Sequence, residues 1–132
     1  MKPTCEIDKY GDKHWRLNGL LHREDGPAVE YTNGTKEWYL NGKRHRDNGP
    51  AYERSNGANF WYKNGLLHRE NGPACNYSNG DQEWYLDGKY HREDGPAIEY
   101  CDGSKRWFYH DKEIFCKDNQ EFLRMIKLIS FM

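Results

Sequence analysis

Long apolar runs are absent from this 132-residue chain: its only apolar cluster is the segment Phe122 to Met132, too brief to cross a bilayer as a helix. Aliphatic residues are scarce, while aromatics reach 15% within a hydrophobic total of 36%. A thick aliphatic core is therefore excluded for this single domain. Charge of one sign is also lacking, since 20 basic and 21 acidic residues leave a net of -1. That balance argues against general attraction to nucleic acid or to an anionic membrane, although the interleaving of the two signs leaves room for local basic stripes. Paired cysteine motifs are missing as well: Cys5, Cys75, Cys101 and Cys116 lie far apart and form no Cys-x-x-Cys, which excludes a zinc knuckle or a dense disulfide scaffold. No secretory leader is recognisable, and the expectation is a soluble protein of the cytoplasm with free thiols.

What the chain does have is a period of 23 residues. Trp15, Trp38, Trp61, Trp84 and Trp107 are one period apart, and Asn18-Gly19, Asn41-Gly42, Asn64-Gly65 and Asp87-Gly88 keep the same step. So do His22-Arg23, His45-Arg46, His68-Arg69 and His91-Arg92. A fixed short period implies an elongated stack of like units, whose function is read from a surface.

An Asn-Gly pair between strand-forming segments predicts a tight hairpin. At Asn41-Gly42 it sets Leu40 against Lys43, Tyr39 against Arg44, Trp38 against His45 and Glu37 against Arg46. Treating Asn33-Gly34 in the same way pairs Tyr31 with Lys36, Glu30 with Glu37 and Val29 with Trp38. Alternation then collects Val29, Tyr31, Trp38, Leu40 and His45 on one face, and Glu30, Glu37, Tyr39, Arg44 and Arg46 on the other. His45 and Tyr52 share a face only if one extra residue is absorbed between them, and the Asp/Asn-Gly-Pro segments are the expected bulges.

The fold class expected is all-β, a single-layer antiparallel meander of 23-residue hairpin repeats with a short C-terminal capping helix. Residues 1–17 read as an N-terminal half-repeat cap, 18–109 as four repeats and 110–132 as a C-terminal cap. Within the last, Lys112 to Phe115 suits a final strand. Asp118-Asn119-Gln120-Glu121 reads as a capping box for an amphipathic helix from Asn119 to Met132.

The order Trp38, Asn41-Gly42-Lys43-Arg44-His45, Gly49, Ala51, Glu53 and Asn56-Gly57, returning to Trp61, resembles the MORN repeat and its variants, over roughly residues 5 to 109. One departure is that MORN units usually follow the turn with Gly-x-Gly, where this chain has His-Arg-Glu-Asp-Gly-Pro-Ala. Arrays of the His-Arg-x-Asp/Asn-Gly-Pro-Ala type look like those of phages and large viruses. The resemblance implies a single-layer sheet, a non-enzymatic role in scaffolding, protein binding or lipid contact, and a viral origin, with the host cytoplasm as location.

The four His-Arg pairs could form a ladder of phosphate contacts. Cross-strand Trp–His packing and Arg–Glu pairing account for most of them more simply. Arg69, set opposite Phe60, and Arg23, set opposite His14, lack carboxylate partners in this register and become candidate binding residues. Metal binding is not expected, because the repeat histidines are two strands apart. No cofactor is expected, nor catalysis, since an active site normally breaks the symmetry of a repeat.

The candidate partner-binding face carries Tyr39, Tyr62, Tyr85, Phe108, Arg69 and Arg23, of residue types enriched at binding hot spots. Another protein is the expected partner. A small phosphorylated ligand or nucleotide messenger is the alternative, and a membrane-associated scaffold is third. An open end strand or the C-terminal helix could support a homodimer.

Overall fold

An Asn-Gly or Asp-Gly pair occurs three times in every repeat, once before the motif proline and twice between strands, and the two between strands fold differently. In the computed structural model, which describes residues 1–131, Asn41 (φ 50°) and Gly42 (φ 79°) are both left-handed. This two-residue turn matches the twist of the flanking strands. Tyr39 pairs with Arg44 and Leu40 with Lys43, as predicted, and the His45 amide donates to the Trp38 carbonyl at 3.1 Å.

At the second pair only Gly34 is left-handed (φ 96°). The Tyr31 amide donates to the Thr35 carbonyl at 2.9 Å, the Gly34 amide to the Tyr31 carbonyl at 3.0 Å, and Asn33 Oδ1 accepts the Thr35 amide. This is a three-residue loop in which Asn serves as a side-chain cap and Gly supplies the positive φ. The register is therefore one residue off the expected one: Val29 pairs with Glu37 and Glu30 with Lys36.

A slip of one residue moves side chains to the other face. Val29, Tyr31, Glu37, Tyr39 and Arg44 share one face, which corrects the expected grouping of Val29 with the tryptophans. Trp38, Leu40, His45 and Glu30 occupy the other. The loop at each Gly-Pro is also larger than expected. His45 lies beside Trp38 and Arg46 N–H donates to Tyr62 O, while Ala51 bonds Trp38 and Phe60 and Tyr52 lies opposite Glu37, so the four residues 47–50 are looped out. An even insertion preserves parity, and His45 and Tyr52 fall on opposite faces.

The strands follow sequence order in an antiparallel meander from Thr4–Ile7 to Lys112–Ile114. Beside this main ladder, the tight hairpins such as Tyr39–Leu40 with Lys43–Arg44 form a second one. They are tied to their neighbours by bonds such as Gly42 N–H to Leu21 O (2.8 Å) and Arg23 N–H to Tyr39 O (3.1 Å). The tryptophans join the two ladders, since Trp38 N–H donates to Ala51 O at 2.7 Å and the bond recurs in each repeat. Ala28, Ala51, Ala74 and Ala97 are fully buried at this junction, where a larger side chain has no room.

The core lies on the Val29 face. Phe60 and Cys75 pack with Tyr52, Tyr62 and Tyr77, and Ile98 and Phe108 pack with Tyr90 and Tyr100. One pair of positions on this face changes chemistry from repeat to repeat. It holds Glu37 and Arg44, then Phe60 and Leu67, then Glu83 and Tyr90, and finally Arg106 and Glu113. Arg44 hydrogen-bonds Glu37, which also accepts from Tyr31 (2.7 Å) and Tyr39 (3.1 Å). Arg106 and Glu113 make the reversed pair through two bonds of 2.8 and 2.9 Å. The predicted Glu37–Arg46 pair does not form, because position 46 has already left the hairpin.

The helix spans Asn119–Ile129; Met132, the expected last residue, lies outside the described residues. Asp118 accepts the Glu121 amide at 2.9 Å, while Glu121 reaches back to the Lys117 amide at 3.3 Å, one residue before the reciprocal bond of a capping box. Phe122 is fully buried and Trp107 donates its indole N–H to Asn119 at 2.7 Å, docking the helix on the end of the sheet. Among the described residues no helix is long and apolar enough to cross a membrane.

Candidate binding surface

The His-Arg-x-Asp/Asn-Gly-Pro-Ala motif is mostly consumed by structure. Each repeat histidine accepts, through Nδ1, the amide of the first turn residue of the next repeat: His22 from Asn41, His45 from Asn64, His68 from Asp87 and His91 from His110, at 2.8–3.0 Å. Each following arginine lies flat on a tryptophan. The guanidinium carbons of Arg23, Arg46, Arg69 and Arg92 sit 3.9–4.0 Å from the ring centres of Trp15, Trp38, Trp61 and Trp84.

The motif glycine closes the other side. A Cβ at Gly26, Gly49, Gly72 or Gly95 would come within 2.8–2.9 Å of the arginine Cζ, so only glycine leaves space for the guanidinium. Nη1 of each arginine then donates to the proline carbonyl of Gly-Pro at 3.1 Å.

The result is a row of tryptophan-backed arginines on one face, with open grooves between repeats. One groove, of about 490 Å³, is lined by Arg46, Trp61, Lys63, His68 and Arg69. Its neighbour, of about 700 Å³, is lined by Arg69, Trp84, Leu86, His91 and Arg92. A third, of about 380 Å³, lies by Trp15, Arg23 and the first residues of the chain.

The repeats differ in how they neutralise the arginine. Arg23 meets Asp25 at 3.0 Å and Glu30 at 3.6 Å, and Arg92 meets Asp94 at 2.7 Å and Glu99 at 3.4 Å. Arg46 has Asn48 in place of the aspartate and keeps Glu53 at 3.1 Å. In the third repeat both carboxylates are replaced, by Asn71 and Asn76. Among the described residues no carboxylate lies within 4.0 Å of the Arg69 guanidinium, and Asn76 turns to Asn59 (3.0 Å).

The residues expected to form one partner-binding face are divided by the sheet. Tyr39, Tyr62 and Tyr85 are half-buried and Phe108 is buried, all on the core face. Tyr39 and Tyr85 spend their hydroxyls on Glu37 and Glu83, and Tyr85 and Phe108 stack on either side of Tyr90 at 4.4 and 4.8 Å. Arg69 and Arg23 are on the opposite, tryptophan-lined face, which corrects their placement opposite Phe60 and His14.

Sequence reasoning missed Trp61, Lys63, Asn71 and Asn76 as neighbours of Arg69. The signal was the exchange of Asp and Glu for Asn in one repeat, which reads as tolerance until the structure shows what those carboxylates touch.

Two other groupings bear on chemistry. His110 stands outside the His-Arg series and brings a second imidazole to His91, with ring centres 4.2 Å apart and Glu93 beside them. These two histidines, unlike those one period apart, are close enough to share an ion. A different feature limits it: His91 Nδ1 accepts the His110 amide at 2.8 Å, so the neutral ring carries its proton on Nε2, which faces Glu93 at 3.4 Å. A metal-bound histidine needs the reverse arrangement. Burial pushes the Cys75 thiol up to about 12, which leaves it an inert packing group.

The helix leaves Leu123 and Leu128 exposed, as is Phe131 just beyond it, and the first strand, Thr4–Ile7, is an exposed sheet edge. No protein-family model matches the chain, and no curated protein is significantly similar to it.

Proposed function

We propose that this chain is a MORN-like, non-catalytic β-repeat module that binds another protein through its tryptophan-lined face. The observation that carries this reading is the row of open grooves floored by arginine–tryptophan stacks. Aromatic and arginine side chains held rigid in partly desolvated concavities are the residue types that dominate binding energy, because little conformational entropy remains to be lost. The tyrosine face is a weaker candidate, since its aromatic rings pack on one another and two of its hydroxyls are committed to internal acceptors.

The test is partner capture by the intact protein, with Lys63→Glu and Leu86→Glu placed together in two adjacent grooves and Tyr85→Phe as the comparison on the core face. The groove variant should retain its thermal unfolding midpoint and lose the captured protein, while Tyr85→Phe should keep it. Capture that survives the groove substitutions and disappears with Tyr85→Phe would transfer the function to the other face.

A further inference from the structure

We infer that the groove around Arg69 recognises an acidic segment of the partner protein, with a partner carboxylate taking the place of the two that the third repeat lacks. The inference rests on reading the tryptophan-lined face as the recognition surface. Four guanidinium groups occupy the same cradle of tryptophan, glycine and proline carbonyl. Three of them are neutralised from within the chain, by Asp25 and Glu30, by Glu53, and by Asp94 and Glu99.

At Arg69 the cradle is intact. The guanidinium lies 3.9 Å from the centre of the Trp61 ring and donates to Pro73 O at 3.1 Å. Its Nε, the atom that donates to Asp25 and Asp94 in the equivalent sites of Arg23 and Arg92, has Asn71 at the corresponding position. A planar guanidinium with one edge unpaired is a carboxylate receptor whose geometry is already fixed.

The charged side chains lining this groove have a formal excess of one positive charge. Arg46 and Lys63 line the groove with Arg69, against the carboxylates of Asp47 and Glu70, and Asp47 is occupied by His45 at 2.7 Å. In the neighbouring groove the balance reverses, because Glu70, Glu93 and Asp94 face Arg69 and Arg92. The cationic groove therefore lies between the second and third repeats. A short acidic segment suits this single groove, with the rim charges steering its approach and the acidic neighbouring groove limiting its length.

The test uses the whole chain and three probes: fluorescein-labelled hexaglutamate, the matching hexaglutamine, and inorganic phosphate. The key variant is Asn71→Asp with Asn76→Glu, which rebuilds in the third repeat the carboxylates of the first and fourth and leaves Arg69 in place. Hexaglutamate should bind the wild type and hexaglutamine should not. Binding should weaken with added salt and fall by about tenfold or more in the double variant and in Arg69→Gln.

Equal hexaglutamate binding by the double variant overturns the assignment to Arg69. So does absence of hexaglutamate binding to the wild type, and phosphate binding without hexaglutamate binding would make the site one for a small anion. Protein capture that depends on Lys63 and Leu86 but is indifferent to Asn71→Asp with Asn76→Glu would overturn the acidic-segment inference alone. Capture indifferent to all of these positions would remove the reading of the face itself.

Discussion

The exchange of Glu37 and Arg44 for Phe60 and Leu67 one repeat later gives a double-substitution experiment already carried out within the chain. Glu37 is 6% exposed and accepts from Arg44, Tyr31 and Tyr39. Replacing one member of a buried ion pair typically costs 3–5 kcal/mol, and the 30% exposure of the Arg44 side chain lowers the expectation to about 2–3 kcal/mol for Glu37→Phe or Arg44→Leu alone. Made together, the two changes copy the neighbouring repeat, and the apolar pair should restore stability to within about 1 kcal/mol of wild type.

Urea unfolding followed by tryptophan fluorescence at neutral pH measures all four corners of the cycle. An acid series adds a second reading. Burial raises the Glu37 pKa, but hydrogen bonds from Arg44 and Tyr31 more than offset it and hold the carboxyl below its ordinary value. Its contribution is complete above the unfolded pKa and is lost as pH falls through the lower folded one. The double variant should lack this acid-dependent component. Additive losses in the double variant would refute the argument, because they would mean that the two positions do not form one interchangeable unit.

Gly72→Ala should push the Arg69 guanidinium off Trp61, since the new Cβ would lie 2.9 Å from Cζ. The expected cost is about 1–3 kcal/mol, and Arg69→Ala with Gly72→Ala should be no less stable than Arg69→Ala alone, as chemical unfolding would show. For His91, burial first and the nearby His110 second lower the pKa. Between the folded value and the ordinary His value of about 6.5 the unfolded chain binds more protons, so stability rises with pH there. Melting temperature should fall as pH drops below about 6.5, because proton uptake by the unfolded chain competes with a fold that keeps Nδ1 free to accept the His110 amide, and His91→Asn should flatten that slope. An unchanged slope in His91→Asn would assign the acid sensitivity to another group.

Much of the fold is legible in the residues. The 23-residue step, the Asn41-Gly42 hairpin and its partners Tyr39–Arg44 and Leu40–Lys43, the final strand and the helix after Asp118 all follow from local turn chemistry and apolar spacing. The candidate site is only half legible. Arg69 stands out because its repeat departs from the others, but its true neighbours come from residues 61, 63, 71 and 76. The loop at residues 47–50 and its equivalents decide that grouping, since they fold the motif glycine and proline carbonyl back over an arginine stacked on its tryptophan.

Local sequence dictates that strands and turns recur at these places and that a helix follows Asp118, because Asn-Gly pairs, strand-forming neighbours and a capping aspartate act within a few residues of one another. It could not choose between two turns built from the same pair of residues. Asn41 adopts a left-handed conformation itself, whereas Asn33 caps the Thr35 amide and leaves the positive φ to Gly34. Only packing between distant strands separates the two, by placing Val29 beside Glu37 on the core face. That one-residue choice puts the tyrosines inside and the tryptophan-backed arginines, Arg69 among them, on the open face.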